Sequence, residues 1–223
     1  MMEGEFRIRV TYAMTGRLVM LSHLETARAI ERTVRRSDLP FAITQGFSPH
    51  MKLAFGSALP VGVGGLAEIF DVTMAAFVPP AEALARLRAA SAPDLMPCDV
   101  RYIDKTVKAA SVAYPFSTYR VELADGADAS VLEVPEEIVV VRKKKERHLI
   151  PTDFLVGGMH ADGSALTFTL EAKPSGSLRP DVLVQTMLDA VGHAAGASAS
   201  EPLHVTSLMR VAQSENAPAD GRP

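Results

Sequence analysis

The chain has 223 residues, of which 48% are hydrophobic and 22% charged, as is typical of a folded protein with one large domain or two small ones. Its net charge of −3 excludes a chain that is basic throughout, so any anion-binding surface must be local. The single cysteine excludes an internal disulfide framework and a cysteine-ligated iron–sulfur cluster, and no apolar run reaches the roughly 18 residues of a membrane span.

The N-terminal sequence EFRIRV lacks the basic segment and apolar stretch of a signal peptide. The composition therefore predicts a cytoplasmic protein that makes no membrane contact. Cys98 lies in an apolar context, near Leu95, Met96 and Val100, which predicts a small buried side chain rather than a reactive thiol.

The first predicted element is a strand over Glu5–Tyr12, because apolar and polar residues alternate there. Its buried face would carry Phe6, Ile8, Val10 and Tyr12. Its polar face would carry Arg7, Arg9 and Thr11.

A capping box of Ser22 and Glu25 then predicts a helix that begins at His23. Asp38 and Pro40 should end this helix, because proline cannot continue one. The helical spacing assigns four residues to the core-facing stripe, which are Leu24, Ala27, Ile30 and Val34.

Arginines recur on the same helix at the spacing that places them on one face, offset from the core stripe. These arginines are Arg28, Arg32, Arg35 and the adjoining Arg36. Glu25 and Glu31 are not expected to neutralise them. The row is either an anion-binding surface or simply a solvated helix face, since arginine is also a good helix former.

A short strand over Phe41–Thr44 and a Gly/Pro-containing loop follow the helix, and a strand over 52–59 comes after them. Arg17, Gln45, Gly46 and Lys52 add polar groups near the arginines that suit a phosphate ligand. Phe47 either stacks on an unpaired base or anchors the loop in the core. A phenylalanine in a loop more often does the second.

Residues Pro60–Gly65 read as a flexible connection before a strand over Glu68–Ala75. A helix opened by Pro79 and Pro80 and a strand over Asp99–Ile103 complete the first half. This order of elements predicts a ferredoxin-like α+β sandwich, with helices on one face of an antiparallel sheet.

The residues from Thr106 to Ala113 read as a linker, and a second α+β half follows. The predicted fold is therefore α+β, with two ferredoxin-like halves and antiparallel sheets. The predicted domains are residues 1–105 and 114–212, followed by a disordered tail over 213–223.

A second basic segment, Arg142–Arg147, contains Lys143, Lys144 and Lys145. Such runs are common on solvated strand ends and protect sheet edges from unwanted pairing. The segment would extend the arginine surface if the fold placed the two side by side, and the sequence leaves these alternatives open.

Two histidines are weak candidates for catalysis or metal binding, His23 at the helix start and His50 in the loop. Neither has a partner at metal-ligand spacing, so no metal site is predicted. An enzyme acting on a phosphorylated substrate would have to use His23, Gln45 and His50.

The segment TGRLVMLSHLETARAIERTVRR, followed by LPFAITQGFSPHMKLAFGSALPVGVGGLAEIFDVTM, resembles the DUF2344 family. The resemblance covers roughly residues 6–210 and is strongest from Thr15 to Asp71. His50 and Met51 stand where members of the family commonly have an Arg-Pro pair, so this loop lacks one fixed positive charge and one rigid proline.

The resemblance implies association with a radical SAM protein, since family members are typically encoded beside one or fused to it. The iron–sulfur cluster and S-adenosylmethionine would belong to that partner, and this chain would carry no cofactor. The sequence therefore favours a non-catalytic accessory protein that binds RNA, such as tRNA or rRNA, or presents a substrate. The alternatives are a module that docks on the radical SAM protein without nucleic acid, and a hydrolase or transferase.

Overall fold

A computed structural model describes residues 6–124, 126–142, 144–195 and 203–219. Contacts divide the chain into two compact units, Met1–Tyr114 and Pro115–Pro223. Both units combine antiparallel sheets with few helices, so the chain is an α+β protein, as predicted. Within the described ranges, no helix is both long and apolar enough to span a membrane.

The first unit has an antiparallel sheet with the strand order β4-β1-β3-β2. Its elements are β1 (Phe6–Met14), α1 (His23–Arg36), β2 (Leu53–Phe55), β3 (Gly64–Met74), α2 (Pro80–Ala90), β4 (Leu95–Ile103) and the single-turn α3 (Ala110–Ala113).

Both long helices of this unit cover the same face of the sheet. Ile30 from α1 and Leu87 from α2 belong to one buried cluster with Ile8, Val10 and Phe70 from the strands. The predicted buried face of β1 is therefore confirmed. Its other face is not polar surface as predicted, because Arg9 is only 2% exposed.

The core stripe of α1 consists of Thr26, Ile30, Thr33 and Val34. Ile30 and Val34 confirm the prediction, whereas Leu24 is 59% exposed and contradicts it. Each helical residue advances by about 100°, so Leu24 falls on the side of Arg28 and Arg32, away from Ile30. The arginines therefore lie opposite the core stripe.

The capping box at the start of α1 is confirmed. Ser22 Oγ accepts a hydrogen bond from the Glu25 amide at 3.4 Å, and the Glu25 carboxylate accepts one from the Ser22 amide at 2.9 Å. The hydrogen bonds from Ser22 lower the pKa of Glu25. At the other end, Asp38 takes a left-handed conformation with φ of 56° and turns the chain away from the helix.

We expect Ser22→Ala to lower the free energy of unfolding by about 1 kcal/mol, because an amide at the start of α1 loses its side-chain acceptor. Ser22→Asp should retain most of the stability, since aspartate also accepts this bond. Urea denaturation followed by circular dichroism measures both variants. Equal stability of Ser22→Ala and wild type would contradict the role of the cap.

Two predictions about the strands were wrong. Gly64 and Gly65 are not part of a flexible connection but begin β3, where both are buried. Cys98 is exposed rather than buried. The pairing of β1 with β4 jumps from Asp99 to Pro97, so Cys98 is the extra residue of a bulge, where strand alternation no longer fixes the side-chain direction.

The predicted linker packs against the first unit over much of its length. Ala110 in α3 is fully buried and clusters with Ile69 and Tyr114. Backbone carbonyls of Val107 and Lys108 accept hydrogen bonds from arginines of β1. This segment therefore covers the face of the sheet that carries Arg9.

The second unit has a sheet with the strand order β10-β5-β9-β8, all antiparallel. The strands β6 and β7 form a separate hairpin. The elements are β5 (Phe116–Leu123), β6 (Ile138–Arg142), β7 (Lys145–Leu149), β8 (Leu155–Asp162), β9 (Ala165–Glu171), α4 (Pro180–Ala195) and β10 (Val205–Ser214).

The last strand determines where the predicted tail can begin. Gln213 pairs with Ser117 and Ser214 with Phe116, so the first two residues of the predicted tail belong to β10. Residues 220–223, the end of that predicted tail, lie outside the described ranges.

Candidate functional site

The outer face of α1 presents a row of arginines, Arg28, Arg32 and Arg36, which we call the arginine row. All three are exposed. None forms a hydrogen bond or salt bridge with another described residue, and Arg28 adds only a weaker electrostatic attraction to Glu25, whose pKa is lowered mainly by its hydrogen bonds with Ser22. The buried stripe on the opposite side fixes the orientation of the helix, so these cations face solvent and can bind an external anion.

Arg35 differs from the arginine row because it has partners. Its guanidinium donates to Glu31 Oε1 at 2.7 Å, an i,i+4 pair, and lies 5.7 Å from the centroid of the Phe41 ring. The prediction that Glu31 neutralises none of the arginines was therefore wrong. Arg35 instead joins the C-terminal end of α1 to the loop that follows it.

This loop is a projecting hairpin, residues 41–52, which we call the Phe47 hairpin. The Thr44 amide donates to the His50 carbonyl at 2.8 Å, and the Lys52 amide donates to the Ala42 carbonyl at 2.9 Å. These bonds fix its base and leave residues 45–49 beyond the pairing. Gly46 has φ of 133°, a conformation that strongly favours glycine.

Phe47 occupies the tip of this hairpin and is completely exposed, with a relative exposure of 112%. The interpretation of Phe47 as an anchor in the core was therefore wrong. Gln45 and Gly46 beside it are also exposed, whereas Lys52 at the base is half-buried. The structure thus places a free aromatic face next to an amide side chain, and keeps Lys52 away from the tip.

Arg17 lies before α1, on a 3₁₀ turn over Gly16–Met20, and is exposed. Gly16 has φ of 54°, and a Cβ there would overlap the Asp94 carboxylate. This backbone conformation favours glycine, and a side chain here would have to displace the Asp94 carboxylate. Met20 at its end is 65% exposed, so an apolar patch of Met20 and Leu24 precedes the arginine row.

Sequence reasoning missed Arg86 on α2. This residue and Arg36 line a cleft at the C-terminal end of α1. Arg86 donates to the Asp38 carbonyl at 3.2 Å and pairs with Glu82, so it is partly neutralised. These two arginines come together only because α1 packs against α2. They are far apart in the sequence, so no local pattern predicts that they are neighbours.

The two weak candidates for catalysis, His23 and His50, contact different residues. The His23 ring is edge-on to Phe55, with the centroids 5.8 Å apart. The His50 ring lies 3.3 Å from Ser48 Oγ, and the two histidines share no contact in the described structure. Among the described residues, no three His, Cys, Asp or Glu side chains are grouped so that they could hold a metal ion.

A small cavity beside His23 is lined by Tyr12, Ser57 and the buried Glu68. Its volume of about 20 Å³ has room for one water molecule. This cavity is too small for an organic substrate.

The second basic segment belongs to the second unit. Lys144 and Lys145 are exposed at the turn of the β6–β7 hairpin, where Lys144 has φ of 62°, and Arg147 is exposed on β7. Lys143 lies outside the described residues. That this segment extends the surface around α1 stays a prediction.

The structure also contains a buried ionic cluster that the sequence analysis missed. Asp71 on β3 accepts from Arg9 Nε at 2.7 Å and Nη2 at 3.0 Å, and pairs with Arg7 as well. Tyr114 Oη accepts from Arg9 at 3.2 Å and from Arg101 at 2.7 Å. An aspartate directly between the apolar residues Phe70 and Val72 was the available signal.

The pKa of Arg9 is raised by its hydrogen bond to Asp71, which outweighs the opposing effect of burial. Arg9 and Asp71 are each only 2% exposed, and the segment over 107–114 covers them. This cluster therefore holds the chain together rather than facing a ligand.

Comparison with known proteins gives a family for the chain. No curated protein matches the sequence. The model of the family DUF2344, described as uncharacterized protein conserved in bacteria, matches residues 7–180. This match covers more than half of the chain and includes α1, the Phe47 hairpin and the buried ionic cluster, and the chain therefore belongs to the DUF2344 family.

Proposed function

We propose that this protein is a non-catalytic accessory protein that binds RNA through the arginine row and the Phe47 hairpin. One observation carries the proposal: three exposed arginines that form no hydrogen bond or salt bridge with a described residue lie on the helix that leads into a hairpin with a fully exposed phenylalanine. Guanidinium groups bind phosphates bidentately, and an aromatic face stacks on unpaired bases. The surface thus contains both groups that single-stranded RNA binding uses.

The contact made by Arg35 supports the proposal that the arginine row and the Phe47 hairpin bind the same RNA. Arg35 contacts Phe41 at the hairpin base, and the hydrogen bonds at Thr44 and Lys52 extend the hairpin beyond it. Arg28 and Arg32 would bind phosphates of the RNA backbone. The bases of the adjoining nucleotides would then extend to Phe47 and stack on it. Gln45 would then contact a base edge, while Arg17 would extend the phosphate path before α1.

The partner in this proposal is a radical SAM protein. This part of the proposal rests on the family resemblance described above rather than on a contact in the structure. The partner would supply the iron–sulfur cluster and the S-adenosylmethionine, and this protein would present tRNA, rRNA or another substrate to it. No cofactor is assigned to the chain itself.

We also propose that both units have ferredoxin-like topology. In the first unit the sheet order β4-β1-β3-β2 supports it, with α1 following the first strand and α2 the third. In the second unit the order β10-β5-β9-β8 is equivalent, with α4 before the last strand. There the β6–β7 hairpin and two 3₁₀ turns stand where the first helix would be.

A second candidate function is docking on a protein partner without nucleic acid. The exposed Met20 and Leu24 favour it, because they continue the arginine row with apolar surface. Methionine and arginine are enriched at protein interfaces. The same face of α1 would then bind an acidic surface of the radical SAM protein.

Co-purification of the tagged full chain from bacterial lysate, with and without ribonuclease, separates these functions. The RNA proposal predicts that specific RNAs are recovered and that ribonuclease removes them together with any RNA-bridged proteins. Recovery of a radical SAM protein after ribonuclease, without enriched RNA, would contradict RNA binding and support docking.

We expect Phe47→Ala to weaken binding of a single-stranded RNA about tenfold, since stacking on an aromatic side chain contributes about 1–3 kcal/mol per base. Phe47→Tyr should bind like wild type because it keeps a stacking face. Fluorescence anisotropy with a labelled oligonucleotide measures both. Ile43→Ala is the control, since Ile43 is a half-exposed apolar residue of the same hairpin away from its tip.

A further inference from the structure

The second unit contains a groove that the proposed function does not use. It lies between the β6–β7 hairpin and the loop that leads into α4, and its volume is about 610 Å³. Small-molecule sites commonly have volumes of about 300–1,000 Å³. The principal lining residues are Val140, Leu149, Leu178, Val182, Arg147 and Arg179.

The hairpin residues that line the groove are apolar apart from a single charge, Arg147. Val140 pairs with Arg147, and Ile138 pairs with Leu149, so these side chains share one face of the hairpin. Leu178 and Val182 supply apolar surface from the other wall. Arg147 is therefore a cation between apolar side chains.

The two arginines of the groove differ in their charge balance. Arg179 donates to both carboxylate oxygens of Asp181, at 3.0 and 2.5 Å, and is neutralised by this ion pair. Arg147 makes only a long bond of 3.4 Å to the Ser175 carbonyl, and no carboxylate among the described residues pairs with it. The groove thus carries one uncompensated positive charge.

Gly176 brings the Arg147 guanidinium close to the opposite wall. A Cβ on Gly176 would lie 3.1 Å from Arg147 Nη2, and Gly176 has φ of 143°. A residue with a side chain would crowd the guanidinium and strain the backbone. The glycine therefore lets the guanidinium lie against the loop, where it faces the groove.

We propose that this groove binds a small monoanion with an apolar body, such as an aromatic carboxylate. The anionic group would pair with Arg147, and the apolar body would lie against Val140, Leu149, Leu178 and Val182. One free charge in an apolar wall suits one anionic group, and the volume suits a ligand of small-molecule size. This site belongs to the second unit and is independent of the RNA proposal.

The probe for this site is 8-anilinonaphthalene-1-sulfonate, a monoanion with an aromatic body, titrated into the full-length protein by fluorescence. We expect Arg147→Gln to weaken binding at least about tenfold. Lys144→Gln is the matched control, because it removes one charge from the turn of the same hairpin and does not line the groove. Equal effects of the two substitutions, or no effect of Arg147→Gln, would overturn the proposal.

Two further measurements test the anionic group and the apolar body of the ligand separately. Val140→Asp places a carboxylate directly opposite Arg147, so it should neutralise the guanidinium and also abolish probe binding. 1-Naphthoate should displace the probe, whereas inorganic sulfate at the same concentration should not. Displacement by sulfate as effective as that by naphthoate would contradict the role of the apolar walls. Circular dichroism establishes that each variant is folded.

Discussion

Asp71→Asn is expected to lower the free energy of unfolding by about 3–5 kcal/mol, the effect of removing one partner from a buried ion pair. The substitution conserves size but removes the negative charge that compensates Arg9 and Arg7. Arg9 is 2% exposed, so water cannot replace the lost partner. Because the chain contains no tryptophan, circular dichroism in urea is a suitable measurement.

Asp99→Asn is the control for this substitution. Asp99 is an exposed aspartate on β4, so its loss should change the free energy of unfolding by less than about 0.5 kcal/mol. Hydrogen exchange adds a local readout, since Asp71→Asn should expose the amides of residues 107–114 that cover the cluster. A loss below about 1 kcal/mol with unchanged exchange would contradict the structural role of Asp71.

The second large effect is expected from the double substitution Arg28→Gln and Arg32→Gln. A hydrogen bond to a charged group contributes about 1.5 kcal/mol or more, so each lost phosphate contact should weaken RNA binding about tenfold. The double variant should therefore bind about 100-fold more weakly. Both side chains are exposed and form no hydrogen bond or salt bridge with a described residue, so stability should remain within about 0.5 kcal/mol of wild type.

The matched control is Arg120→Gln combined with Lys173→Gln. It removes two positive charges that are already paired, with Glu122 and Glu171. Equal weakening by both double variants would mean that overall charge, rather than the arginine row, determines binding.

Local signals predicted much of the framework around the candidate site. The capping box correctly predicted the first residue of α1, and alternation correctly predicted the buried face of β1. The spacing of arginines correctly predicted that Arg28, Arg32 and Arg35, with Arg36 beside them, lie on the exposed side of one helix. Each of these features depends on residues within a few positions of one another, which is why they could be read from the chain.

The failures arise where distant residues decide the outcome. The prediction that Arg9 is exposed failed because alternation within one strand does not show that the segment over 107–114 covers the second face of the sheet. The prediction that Cys98 is buried failed because the bulge at Cys98 depends on the pairing between two strands, which the local sequence does not show. The sequence left Phe47 between a stacking platform and a core anchor, because only the three-dimensional structure shows that the hairpin projects away from the core.

The most direct test of the account is the salt dependence of RNA binding by wild type and by the Arg28→Gln/Arg32→Gln variant. The slope of log K against log salt falls by about 0.7 for each phosphate contact with a single strand. We predict a steep negative slope for wild type and a slope shallower by about 1.4 for the variant. A wild-type affinity that is independent of salt, or the same slope for both proteins, would contradict RNA binding by the arginine row.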